Sequence, residues 1–208
     1  MSPRRILPPN VGAELGSSVP DPAAERLRQR LAGATKEELV ALVERLASSS
    51  EKFAARIDYV TDPSAAVKVL QRRISAIRGG RRLIAYGESH QVACELATIA
   101  ADIRADILPR DSEKAVALAE KLFCLDQVIF DRADDSDGHI GGELREACVL
   151  WLDAAAAKTD CARDWPAVLY EFYQANDYGI RESLLEQADR LLSEQELRAL
   201  ATRFEAAR

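Results

Sequence analysis

A chain of 208 residues and 22.9 kDa can bury one sizeable hydrophobic core or two small ones. Its net charge of −6 and pI near 5.1 argue against wrapping nucleic acid wholesale or docking on an anionic membrane, while leaving room for a local basic patch. No apolar run approaches the roughly 20 residues of a membrane-spanning helix, and Met1–Pro22 lacks the apolar core of a secretory signal.

Hydrophobic residues make up 48% and charged residues 30%, the balance of a soluble globular protein, and aromatics are only 6%. Alanine, leucine, glutamate and arginine dominate, which favours helix over sheet because unbranched side chains keep most of their rotamer freedom in a helix. Cys94, Cys124, Cys148 and Cys161 are far apart, with no Cys-x-x-Cys pair. They read as small apolar residues on helix faces rather than as a disulfide frame or zinc site, and a reducing cytoplasm is expected.

Residues 1–22 are rich in proline, glycine and serine without apolar period, and are expected to be a flexible arm. The remainder, 23–208, is expected to be a single all-helical domain. Thr35 with Glu38 forms a capping box, followed by the stripe Leu39, Leu42, Val43 and Leu46. After Ser48–Ser50 a short helical piece is expected from Glu51 towards Asp58. Asp62-Pro63 starts the next helix, Val67, Leu70, Ile74 and Ile77 line it, and Gly79-Gly80 ends it.

From Gly87 to Ile107 the residues Val92, Leu96, Ile99, Ile103 and Ile107 recur at near-heptad spacing, until Pro109 breaks the segment. Asp111 or Ser112 caps the following helix, which carries Leu118, Leu122, Leu125 and Ile129 on one face. Two such stripes joined by a short turn are expected to pack antiparallel. An acidic, glycine-bearing joint over Asp131–Gly142 follows, and then Ile140, Leu144, Cys148, Trp151 and Ala155. Asp164-Trp165-Pro166 opens a helix with Leu169, Phe172 and Tyr173; Asn176–Gly179 is a turn before the stripe Ile180, Leu184, Leu185, Ala188, Leu191 and Leu192. Ser193 and Glu196 make a second capping box. No period-two run of branched residues occurs, so the expected fold is all-α, with antiparallel helical hairpins forming a short α-solenoid or an irregular bundle.

Two clusters invite chemistry. Arg72, Arg73, Arg78, Arg81 and Arg82 surround one helix end, where cations complement the helix dipole, or could meet phosphate or nucleic acid. No aromatic residue is interleaved among them. The joint offers Asp134, Asp135, Asp137 and His139 as metal ligands. An EF-hand is excluded: with Gly138 at loop position 6, Ala133 and Leu144 occupy positions that need ligands. Acids ahead of a helix also serve as caps. His90 and His139 are the only histidines, Ser89 cannot meet His90 on one helix face, and no phosphate-cradling glycine loop is present, so catalysis is not expected.

Four segments, Thr35–Ala47, Arg81–Ser89, Asp134–Leu144 and Asp177–Ala188, resemble a family of uncharacterised bacterial helical proteins, a domain of unknown function associated with SWIM zinc-finger proteins. The resemblance spans Leu31 to Phe204 and implies a helical-repeat fold of tetratricopeptide-like character, with no activity attached. The clustered Cys and His of a SWIM zinc finger are missing, so zinc-finger chemistry does not transfer. Tyr86, Glu88, Asp135, Asp137, Gly138, Tyr178, Gly179 and Arg181 are the motif positions; Tyr86, Glu88, Tyr178 and Arg181 either bind something or lock helix ends together, and the structural role is expected.

The expected function is a cytoplasmic helical scaffold that binds another protein. The alternatives are a nucleic-acid accessory protein using the Arg72–Arg82 cluster and a metal-binding protein centred on Asp134–His139. No cofactor is expected, and nucleic acid and membrane are not expected as the main partners.

Overall fold

The computed structural model describes residues 22–49, 53, 57, 61–158 and 163–206. The arm over 1–21, most of the helical piece expected near 51–58, and Cys161 lie outside the described residues. Two compact units divide the chain, Met1–Phe53 and Ala54–Arg208. The described residues are overwhelmingly helical and contain no strand, as the period of the sequence requires.

In the first unit, helix α1 spans Pro22–Ala32, and α2 spans Lys36–Ser49. The Thr35 capping box is present: the Thr35 amide donates to Glu38 Oε2 at 2.8 Å and the Glu38 amide to Thr35 Oγ1 at 3.2 Å. The stripe of α2 is not enclosed, since Leu42 is 39%, Val43 38% and Leu46 40% exposed. Periodicity shows which face of a helix is apolar; a unit of two described helices has too little surface to cover it.

In the second unit, α3 spans Pro63–Gly79, capped by Asp62 Oδ1, which accepts from the amides of Ser64 and Ala65 at 3.0 and 3.1 Å. Helix α4 spans Tyr86–Asp102 and runs into a π-turn over Ile103–Ile107, so the segment expected as one helix ends in a widened turn before Pro109. Helix α5 spans Ser112–Phe123, with Asp111 Oδ1 accepting from the Lys114 amide at 3.0 Å. The chain breaks at Cys124–Leu125 and resumes as α6, Asp126–Phe130. Helix α7 is His139–Ala156, α8 is Trp165–Gln174, α9 is Glu182–Glu186, and α10 is Glu194–Ala206. A 3-10 turn, Ala188–Arg190, splits the stripe expected from Ile180 to Leu192.

The core of this unit is built on α7, which packs against α4, α5 and α9. Small residues Ala147, Cys148, Ala154 and Ala155 let neighbours approach, and Trp151 fills the centre. Its ring meets Phe172 at 5.3 Å and Trp165 at 5.7 Å in edge-to-face geometry, which adds about 0.5–1.5 kcal/mol per pair beyond burial. Leu96 is 1% exposed and Leu122 and Trp151 are 0% exposed, so the stripes of α4, α5 and α7 face inward as their spacing dictates. No helix among the described residues is long and apolar enough to cross a membrane.

Candidate functional site

The acidic joint is where distant parts of the second unit are fastened. Asp135 caps α7: its two carboxylate oxygens accept from the amides of Ile140 at 2.9 Å and Gly141 at 2.8 Å. Gly138 precedes that helix with φ of 71°, a left-handed conformation that glycine adopts without the Cβ clash. Asp134 accepts from the Ser136 amide and hydroxyl. Asp137 accepts from the Tyr86 hydroxyl at the start of α4, and Asp131 from the Tyr178 hydroxyl at 2.7 Å. Each bond to a carboxylate holds the phenol proton in place and raises the tyrosine pKa.

Beside these ties sits a clasp. The Ile84 amide donates to the Arg132 carbonyl at 2.7 Å and the Asp134 amide to the Ile84 carbonyl at 3.0 Å, making one parallel bridge between Ile84 and Ala133. The Arg132 guanidinium reaches back, donating to the carbonyls of Ile77 at 2.7 Å and Arg82 at 3.0 Å. It thereby caps the C-terminal end of α3, where a cation also suits the helix dipole. Gly80 makes room for it: a Cβ there would lie 2.9 Å from both Nη atoms.

Ile84 and Arg132 of the clasp border two depressions. One, of about 460 Å³, is lined by Ile77, Ile84, Val92, Glu88, Arg82 and Arg132 among others. The other, of about 410 Å³, is lined by Leu83, Ile84, Phe130, Asp131, Arg132 and Asp134 among others. Leu83, on the wall of the second, stands 75% exposed, and Tyr86 at 52% and Tyr178 at 43% are exposed members of the network of ties.

The arginines named from the sequence separate into two sets. Arg73 is held by Glu95 and Asp102, each at 2.8 Å, and Arg82 by Glu88. Glu88 also accepts from the Ala85 amide, and that bond, with Arg82, keeps its carboxyl below the usual range. Arg72, Arg78 and Arg81 are exposed and have no ion pair among the described residues.

The acids of the joint face different donors rather than one point. Among the described residues no group of three or more His, Cys, Asp or Glu side chains is arranged to hold a metal ion. His139 lies 3.9 Å from Asp137, and its ring meets His90 edge-on at 5.4 Å. Cys94 Sγ in turn lies 3.6 Å from His90 Nε2. This meeting of the two histidines carries no signal in the sequence, being made across 48 intervening positions of chain. Arg132 does leave one: it is the lone cation in the run Asp131–Asp137.

Gly179 has φ of 75°, and Arg181 donates to buried Asp126 through Nε at 2.8 Å and Nη2 at 2.9 Å. The motif positions sit where segments meet, at Tyr86 and Asp137, Tyr178 and Asp131, and Arg181 and Asp126.

Helices braced around α7 by tyrosine–aspartate and arginine–aspartate ties, with a pair of depressions on one side, define an all-helical protein with a candidate binding surface. The chain belongs to DUF6880, a family of unknown function, whose family model matches residues 36–208. No curated protein and no solved structure matches the chain.

Proposed function

We propose that this protein is a helical module that binds another protein through the surface around Ile84 and Arg132. The observation that carries the reading is Leu83, 75% exposed on the wall of the second depression of an otherwise well-packed unit. A large aliphatic side chain held out by a bridged segment loses water-exposed area only when a partner covers it. Tyr86 and Tyr178 beside it offer wide apolar faces with a polar tip, the residue type enriched where interfaces are hottest.

The depression beside Leu83 is lined by Asp131 and Asp134, so the partner that fits presents an apolar side chain flanked by basic residues. Arg132 keeps the segment rigid, which lowers the ordering cost of docking. We read the second unit as an irregular bundle around α7, used in a reducing cytoplasm. Binding of this kind needs no reacting group, which accords with a site made of helix caps.

A photo-reactive amino acid at Leu83, with a second at Arg198 as control, tests the reading in the source cells. An adduct of one defined protein is expected at position 83 and not at 198. With the purified pair, Leu83→Asp should weaken binding at least tenfold, about 1.4 kcal/mol. Equal labelling at both positions, or unchanged affinity of Leu83→Asp, overturns it.

A further inference from the structure

A second surface lies along the outer face of α3. Two depressions there, of about 520 and 270 Å³, share Gln71 and Ser75 and so form one continuous groove. Its polar lining is Lys68, Gln71, Arg72, Ser75, Arg78 and Lys121, the last contributed by α5. Among the described residues no aspartate or glutamate lines it. None of the four cations has a carboxylate within ion-pair distance among the described residues. Asp62, whose carboxyl feels Lys68, is already committed to the Ser64 hydroxyl and the amides of Ser64 and Ala65.

We infer that this groove holds the phosphodiester backbone of double-stranded nucleic acid without reading its sequence. The chemistry of the lining selects the occupant. Every polar group in the groove is able to donate a hydrogen bond, which is what phosphate oxygens require. A protein partner needs a desolvated apolar or aromatic anchor, and apart from Ile74 and Ala76 the described residues of the groove offer none. A single strand is held by stacking its bases on aromatic rings, and among the described residues no aromatic lines the groove.

The dimensions agree. Lys68 to Arg78 covers about 15 Å of helix axis. One strand of a duplex presents a phosphate every ~3.4 Å of rise, so roughly four phosphates face the four cations. The chain's net charge of −6 opposes association only weakly at ordinary ionic strength, where charges more than about 10 Å away are screened. The set differs from the arginine cluster of the sequence because Arg73 and Arg82 are spent on internal carboxylates, while Lys68 and Lys121 enter through the fold.

The test is fluorescence anisotropy of the full chain with a labelled duplex over a series of salt concentrations. Binding is expected at low salt, with log K falling against log salt at a slope of about −3 to −4 for four phosphates. The pairs K68A/R72A and R78A/K121A should each reduce the magnitude of that slope by about 2, whereas K114A/R198A should leave it in place. Alanine at exposed helix positions keeps the fold, which melting curves check. No binding at low salt, or a slope that neither pair changes, overturns the inference. A glutamate-rich peptide that displaces the duplex at equal charge also overturns it, since the groove would then belong to a protein. Leu83→Asp serves as a further control, because this groove stands independently of the surface around Ile84.

Discussion

Arg181 holds Asp126 with two arms of its guanidinium, Nε to Oδ2 at 2.8 Å and Nη2 to Oδ1 at 2.9 Å, across 55 residues of chain. Asp126 is 1% and Arg181 7% exposed, and the guanidinium lies over the Phe123 ring at 5.8 Å. Burial alone would lower the Arg181 pKa; the hydrogen bond and charge of Asp126 outweigh it and raise the value. The pair fastens the segment before α9 to the start of α6. Removing either partner strands a buried charge, so Asp126→Ala and Arg181→Ala should each cost about 3–5 kcal/mol in urea unfolding. The double exchange Asp126→Leu with Arg181→Met should cost less than either single change. A loss below about 1 kcal/mol for Arg181→Ala would show that the segment is fastened by other contacts.

That pair also marks what the sequence shows and what it does not. Helix starts were legible because their chemistry is local: Thr35 with Glu38, Asp62-Pro63, Asp164 and Ser193 with Glu196 all cap as their spacing implies. The inward stripes of α4, α5 and α7 were legible for the same reason, since period and burial coincide. Asp126 has no such local mark, because its partner lies beyond two intervening helices, α7 and α8. The stripe of α2 shows the converse failure: its period is right, but nothing in Leu42, Val43 and Leu46 says whether a neighbour covers them. The acids of the joint read from the sequence both as metal ligands and as helix caps. In the fold they serve Ile140, Gly141, Tyr86 and Tyr178, donors that no local pattern brings together.

Arg132 and Gly80 make a second separable relationship. Arg132→Ala deprives the Ile77 and Arg82 carbonyls of their donor and opens the clasp, at a cost of about 1–3 kcal/mol. Gly80→Ala places a Cβ 2.9 Å from Nη1 and Nη2, but these are the far end of a flexible side chain, so the loss should be smaller. Gly79→Ala meets nothing within 4 Å and should be neutral or stabilising by up to about 1 kcal/mol. Thermal melting of the three variants should rank them in that order. A Gly79→Ala variant as damaged as Arg132→Ala would contradict the geometry.

The cysteines should differ in reactivity by position. Burial pushes the Cys148 thiol up to about 12 and the Cys124 thiol up to about 11, so neither yields thiolate at neutral pH. Cys94 is exposed on α4 beside His90. Maleimide labelling of the folded chain at pH near 8, read by peptide mass spectrometry, should modify Cys94 well ahead of both. Cys124 and Cys148 should react only as urea unfolds the second unit. Equal rates at Cys94 and Cys148 in the absence of urea would show that α7 opens far more readily than its packing implies.

Acid should weaken the fold through its helix caps. Glu38 is held below its ordinary value of 4.5 by the Thr35 amide and hydroxyl, Glu88 by the Ala85 amide and Arg82, and Glu196 by the Ser193 hydroxyl and amide. Asp62 and Asp111 lie below 3.8, held by the Ser64 hydroxyl with the Ala65 amide and by Lys114. In each case the folded pKa is the lower one, so the unfolded chain binds protons first as pH drops. The stabilisation is complete above the unfolded values and fades as pH falls from about 5 through the folded pKa values. Melting temperature should therefore hold steady from pH 7 to about 5 and then decline towards pH 3. Glu88→Gln combined with Glu196→Gln should lower the plateau and flatten the decline, because an amide still accepts from the capped N–H but no longer titrates. A double variant with the same plateau and the same acid slope as the parent would show that these caps do not contribute to the pH dependence.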